Sequence, residues 1–228
     1  MSLVEGDFIF MLKLLILIFA LAMPAYAEKN FNVADLNASN DTDQLIIISV
    51  GENNETKLFM YEKNNADWIK ILESVAYIGK KGLGKTREGD LKTPTGIFEF
   101  NKAFGIKDDP GCKAFEYVKV DDSHYWVGDS ESEFYNKFVS TSDVENFNKK
   151  DSEHITDYKP AYNYALNINY NSECVPGKGS AIFLHCKTKN NFTGGCVSVP
   201  EDVMKKIIMS VKADCKIIID YDKNISEY

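Results

Sequence analysis

Residues 79–96 read GKKGLGKTREGDLKTPTG, and five glycines with Pro94 in that stretch exclude a helix there. The chain around it is built of short apolar runs. Residues 45–50 (LIIISV) are β-branched and read as a buried strand. Residues 51–54 read as a turn, and residues 57–62 (KLFMYE) as the hairpin partner. Residues 68–72, 74–78, 97–100, a few around Tyr117, 124–127, 162–170, 181–185, 196–199 and 215–220 continue the series of short strands. The rest of 107–160 has no clear period, and its charged part up to Lys159 reads as irregular or helical. One helix stands out at 200–211 (PEDVMKKIIMSV). Pro sits at its first turn, acids follow, and Val203, Ile207, Ile208 and Val211 make one apolar face. Many short strands with a single helix imply a mainly β fold, a β-sandwich or partly open barrel.

Two partner classes fall away. The net charge of −8 opposes nucleic-acid binding, which needs a basic surface. Residues 79–86 match the phosphate-loop pattern GxxxxGK[ST], but that pattern works only where the loop opens a helix. Gly89, Pro94 and Gly96 forbid one, so no nucleotide is expected. The segment reads instead as a flexible, basic surface loop, with five Lys/Arg between residues 80 and 92 against Glu88 and Asp90.

The N-terminus carries Lys13, an apolar run at 14–23 (LLILIFALAM), Pro24 and the triplet Ala25-Tyr26-Ala27. This is the pattern of an export signal over residues 1–27, with Met11 as a candidate true start. The run is short for a membrane span, and an uncleaved anchor is the alternative. The polar stretch 28–43 reads as a linker, 44–221 as one domain and 222–228 as a tail, placed outside the cytoplasm. All five cysteines (Cys112, Cys174, Cys186, Cys196 and Cys215) follow the signal. An odd count leaves at least one thiol unpaired; if any pair forms, Cys112 with Cys174 is the favoured one.

The densest chemistry lies in Phe183-Leu184-His185-Cys186 and Thr193-Gly194-Gly195-Cys196-Val197-Ser198. A histidine ends a buried strand, and a cysteine follows two glycines and opens the next. The glycines allow a sharp turn with bare amides. A base beside a thiol, with amides nearby for an oxyanion, is what acyl transfer by cysteine needs. A buried structural cysteine is the plain alternative. A metal site of His185, Cys186 and Cys196 is disfavoured, because adjacent strand residues point to opposite faces.

These residues resemble the L,D-transpeptidases (YkuD-like catalytic domain), whose site carries a histidine, a variable loop and a Ser/Thr-x-Gly-Cys segment. Lys85-Thr86-Arg87-Glu88-Gly89-Asp90 with Thr93-Pro94-Thr95-Gly96-Ile97-Phe98 is similar to the family's TPxGxF region. Residues 179–185 (GSAIFLH) are similar to the strand that delivers the base. The resemblance implies a catalytic domain over 44–221, Cys196 as nucleophile, His185 as base, and the amides of Gly195 and Cys196 as oxyanion donors. Thr193, Gly194 and Ser198 would position substrate. It also implies action on peptidoglycan stem peptides, transfer from a tetrapeptide with loss of D-alanine to give 3→3 crosslinks, and no metal or organic cofactor. Hydrolysis of the same bond, or a silent wall-binding module, are the competing readings. The chain departs from many members at Gly194, where they carry His, and at Ser198, where they carry Arg or Asn.

Overall fold

The fold is centred on β1 (Gln44–Val50), whose seven residues are all buried in the computed structural model, which describes residues 31–53 and 55–228. Residues 1–27, expected to be an export signal, lie outside the described residues. β1 pairs antiparallel with β2 (Thr56–Asn64) and in parallel with β12 (Lys216–Tyr221). Both its edges are paired, and both its faces are covered, Ile46, Ile48 and Val50 by one apolar cluster and Leu45 and Ile47 by another, as its unbroken apolar run requires. β2 leads into β3 (Asp67–Val75) at the sheet edge. On the other side β12 pairs with β4 (Gly96–Gly105), which begins where the glycine-rich loop ends.

β4 is the element that bends the sheet. Its first half pairs with β12, and after a register break at Phe100/Lys102 its second half pairs with β9 (Ala165–Ile168). Such an irregularity bends a strand and adds twist. From β9 the sheet continues to β10 (Phe183–Cys186) and β11 (Val197–Val199), while β5 (Tyr117–Lys119) joins the end of β4. The result, among the described residues, is a curled sheet of nine strands in the order β11-β10-β9-β4-β12-β1-β2-β3, with β5 off β4. Between β5 and β9 a second sheet forms from β6 (His124–Trp126), β7 (Phe138–Ser140) and β8 (Glu153–His154).

One face of the sheet holds the main core. There α1 (Glu201–Ser210) packs Met204, Ile207 and Ile208 against Leu184, Val197 and Ile217. Each such side chain, fully buried, stabilises the fold by about 1.5–3 kcal/mol. The apolar face is turned slightly from the expected one, since Met204 is buried where Val203 is only partly so. On the outside of β9 and β10 a second cluster joins Phe104, Phe183 and Cys196 to Trp126, Ile155 and Tyr162 of the inserted sheet and its turns.

Three expectations are corrected. Within the expected linker, residues 33–35 and 37–40 form 3₁₀ turns whose Val33, Leu36 and Ala38 bury against Leu45, Ile47 and Ile218. The expected tail closes the same cluster through Ile225, which is fully buried. The strand expected at 74–78 ends at Val75, and Tyr77 crosses to β11, where Tyr77 and Ser198 exchange backbone hydrogen bonds at 2.9 and 2.8 Å. That crossing carries residues 79–96 to the cavity described next.

Candidate active site

Cys196 stands at the threshold of β11, and its backbone is clamped by two threonines. Thr193 Oγ1 donates to the Cys196 carbonyl at 2.6 Å and accepts the Gly195 N–H at 3.1 Å. Thr93 Oγ1 donates to the same carbonyl at 3.2 Å and accepts the Gly79 N–H at 2.8 Å. Gly195 has φ +154°, and a Cβ there would come within 3.0 Å of the Lys92 carbonyl. Glycine is therefore required for the turn that presents the thiol.

The thiol donates to the Ala181 carbonyl at 3.2 Å and accepts the Phe183 N–H at 3.3 Å. Burial pushes its pKa up to about 12, with the Glu153 carboxyl adding to the rise and the Phe183 N–H and Lys85 ammonium opposing it. His185 lies on the same face of the sheet. Along β10, Leu184 and Cys186 enter the main core, whereas Phe183 and His185 point the other way. His185 sits opposite Ser198 in the parallel β10–β11 pair, two residues beyond Cys196.

The imidazole Nδ1–H donates to the Cys186 carbonyl at 2.8 Å, which leaves Nε2 as the basic nitrogen. Burial lowers the His185 pKa to about 4, partly offset by that hydrogen bond. The resting pair is thus a neutral thiol and a neutral imidazole. Both line one cavity of about 760 Å³. Among the described residues no hydrogen bond joins Sγ to the ring.

The structure places the other expected site residues as follows. Thr193, Gly194, Gly195 and Ser198 all border the cavity. The Gly195 amide, expected to bind an oxyanion, is already committed to Thr193. The Gly194 and Cys196 amides have no hydrogen-bond partner among the described residues and are the donors left for that task. Thr193 acts on the turn that carries Cys196. No metal site forms from His185, Cys186 and Cys196: the Cys186 thiol points into the main core and donates to the Tyr164 carbonyl at 3.5 Å. That geometry also keeps Cys186 from pairing with Cys196. All five cysteines are free, Cys112 and Cys174 included. His124 and His154 belong to the inserted sheet, held by Asp121 at 2.8 Å and Asp157 at 3.1 Å.

Residues 79–96 are not a flexible surface loop. Leu83, Lys85, Asp90 and Thr93 are buried, and residues 79–86 open no helix. Asp90 accepts the Lys85 ammonium at 3.1 Å and the N–H groups of Thr86, Arg87 and Lys92 at 2.8–3.2 Å. These bonds hold its carboxyl well below the usual range although burial alone would raise it. Lys85 thereby becomes part of the cavity wall, close to Gly195. Two further residues escaped sequence reasoning: Glu153, on β8, and Tyr162, whose ring meets the imidazole edge-on at 5.5 Å.

A comparison with protein families matches residues 43–219 to the YkuD L,D-transpeptidase catalytic domain. No curated protein matches the chain. Among solved structures, Bd1075 from Bdellovibrio bacteriovorus is similar at 20% identity and a TM-score of 0.42, over 80% of this chain and 49% of that one. The helical cell shape determining protein Pgp2 from Campylobacter jejuni is similar at 18% identity and a TM-score of 0.41, over 81% of this chain and 53% of that one. L,D-transpeptidase 1 of Mycobacterium tuberculosis is similar at 13% identity and a TM-score of 0.36, over 77% and 62%. The chain thus spans only about half to three-fifths of the length of these structures.

Proposed function

The chain belongs to the L,D-transpeptidase catalytic-domain family, a family of cysteine-based enzymes, and we propose that it is an exported acyltransferase of the bacterial cell wall. The reading is that Cys196 takes the acyl group of a peptidoglycan stem tetrapeptide, D-alanine leaves, and an amine of a second stem resolves the thioester as a 3→3 crosslink. The observation that carries it is the placement of Cys196 and His185 on one sheet face and in one cavity, with Nε2 left basic by the Nδ1 bond to Cys186.

The chemistry follows from the resting charges. With the thiol near pKa 12, free thiolate at neutral pH amounts to roughly one part in 10⁵. Proton transfer to Nε2 must therefore accompany attack on the scissile carbonyl. The carbonyl oxygen gains charge as the C–S bond forms, and the Gly194 and Cys196 amides are available to receive it. The imidazolium then gives its proton to the departing nitrogen, and His185 returns to the neutral form. General acid–base help of this kind contributes about 10²–10⁴ in rate. A neutral resting thiol also suits an extracytoplasmic setting, because oxidation tracks thiolate character.

The test is incubation of the protein with a defined tetrapeptide muropeptide and mass spectrometry of the products. Release of D-alanine with a 3→3 dimer is expected, and neither with Cys196→Ala. Tripeptide alone would assign hydrolysis to the same site. Unchanged products from Cys196→Ala would remove the cysteine mechanism.

A further inference from the structure

β8 brings to the cavity a carboxyl that the mechanism above does not use. Glu153 stands opposite Trp126 in the inserted sheet and lines the same cavity as Cys196 and His185. One of its oxygens accepts the Tyr162 hydroxyl at 2.5 Å. The Tyr162 ring is itself fixed: it stacks on Tyr158 at 5.0 Å and meets Phe183 and His185 edge-on at 5.3 and 5.5 Å. The second carboxyl oxygen has no partner among the described residues, and none of their ion pairs involves Glu153.

The surroundings make an anion there costly until a cation arrives. Burial is the main cause that raises the Glu153 pKa, to about 7, and the Glu88 carboxylate adds to it while the Tyr162 hydroxyl opposes. Glu88 borders the cavity too, and its carboxylate accepts the Tyr135 hydroxyl at 2.7 Å. The Lys85 ammonium, also in the cavity wall, is committed to Asp90 and the Arg87 carbonyl. Lys80 and Lys150 stand at the border and form no ion pair among the described residues.

The reading of Cys196 as an acylated nucleophile requires an amine to finish the reaction, and an alkyl amine arrives as an ammonium ion. On that reading, we propose that Glu153, held by Tyr162, docks the acceptor ammonium and takes its proton, which biases the thioester toward aminolysis over hydrolysis. The proton balance closes. The ammonium gives one proton to the Glu153 carboxylate, and the free amine attacks the thioester carbon. The C–N bond forms, the C–S bond breaks, and the second nitrogen proton passes to Nε2 of His185. The imidazolium then returns it to the departing Cys196 thiolate, and Glu153 releases its own to water.

The test measures how a preformed acyl-enzyme divides between crosslink and hydrolysis at fixed acceptor concentration, a ratio that is independent of the fraction of folded protein. In Glu153→Gln the crosslink-to-hydrolysis ratio for a stem-peptide amine is expected to fall at least about ten-fold, a floor set below the about 10²–10⁴ typical of general bases. The rate at which the acyl-enzyme forms should not fall, since removing the Glu153 charge eases ionisation of the Cys196 thiol. Tyr162→Phe should fall in the same direction by less. Hydroxylamine, which is uncharged at neutral pH and so has no ammonium proton to give up before attack, should divide equally in wild type and Glu153→Gln. An unchanged ratio with the stem-peptide amine, equal losses with both acceptors, or a selective loss of hydrolysis would overturn the proposal. Failure of the wild type to form any acyl-enzyme would overturn the functional reading and this inference with it.

Discussion

Cys196 and His185 are both uncharged at rest, and that state has a cost that pH exposes. The His185 ring ionises at about 4 in the folded chain, against an ordinary 6.5. Above pH 6.5 it is neutral in both states. As pH falls below 6.5 the unfolded chain takes up a proton that the folded chain refuses until about pH 4. Stability is therefore lost between pH 6.5 and 4, by roughly 3 kcal/mol, as linkage requires. Glu153 acts in the opposite sense. Its folded pKa of about 7 lies above the ordinary 4.5, so its contribution is full below 4.5 and lost as pH rises to 7. The two terms nearly cancel in wild type over this range, so denaturant melts at pH 4, 5.5 and 7.5 should show His185→Gln gaining roughly 3 kcal/mol on wild type as pH falls. Parallel curves for the two proteins would contradict a buried, neutral base. That the two side chains share one cavity was readable from sequence, because a histidine, two glycines and a cysteine stand within a dozen residues of one another. Glu153 and Tyr162 were not, because nothing periodic marks them; only the pairing of β8 with β6 and the turn before β9 carry them to the cavity.

At the scale of elements, residues 79–96 show how a correct exclusion can lead to a wrong picture. Their glycines do forbid a helix, and the phosphate-loop pattern does lack its context. Yet the charge count, which suggested a solvated loop, hid an internal pair. Lys85 and Asp90 alternate with exposed charges, and their side chains are only 2% and 7% exposed. The pair fixes the segment that delivers Thr93 to the Cys196 carbonyl. Lys85→Met leaves a buried carboxylate without its cation, which should destabilise the protein by about 3–5 kcal/mol. Lys85→Met/Asp90→Asn should lose less than the two single variants added together, because the orphaned charge is gone. A double-mutant cycle by denaturant unfolding checks this, and additivity within about 0.5 kcal/mol would mean that the two groups do not interact. The strands were legible wherever β-branched residues cluster, as in β1 and β12. The inserted sheet was legible only in part, since its strands are two or three residues long and its shape depends on tertiary pairing.

Across the molecule, three apolar clusters divide the work. The main core fixes the curl of the sheet, the outer cluster seats the inserted sheet over β9 and β10, and the third closes residues 31–43 and 222–228 onto β1 and β12. The first two meet at β10 and β11, where alternate residues face opposite sides, and this division turns Cys196 and His185 to the cavity while Cys186 goes to the core. A mainly β fold with one helix followed from the sequence. The docking of residues 31–43 and 222–228 did not, because short segments with few apolar residues carry no recognisable period. The central claim concerns chemistry at Cys196, and intact-mass spectrometry of the protein after brief exposure to a stem tetrapeptide tests it most directly. The account predicts a mass gain equal to the peptide less D-alanine, mapped to Cys196 and absent from Cys196→Ala. D-alanine released with no adduct at Cys196, and released equally by Cys196→Ala, would contradict it.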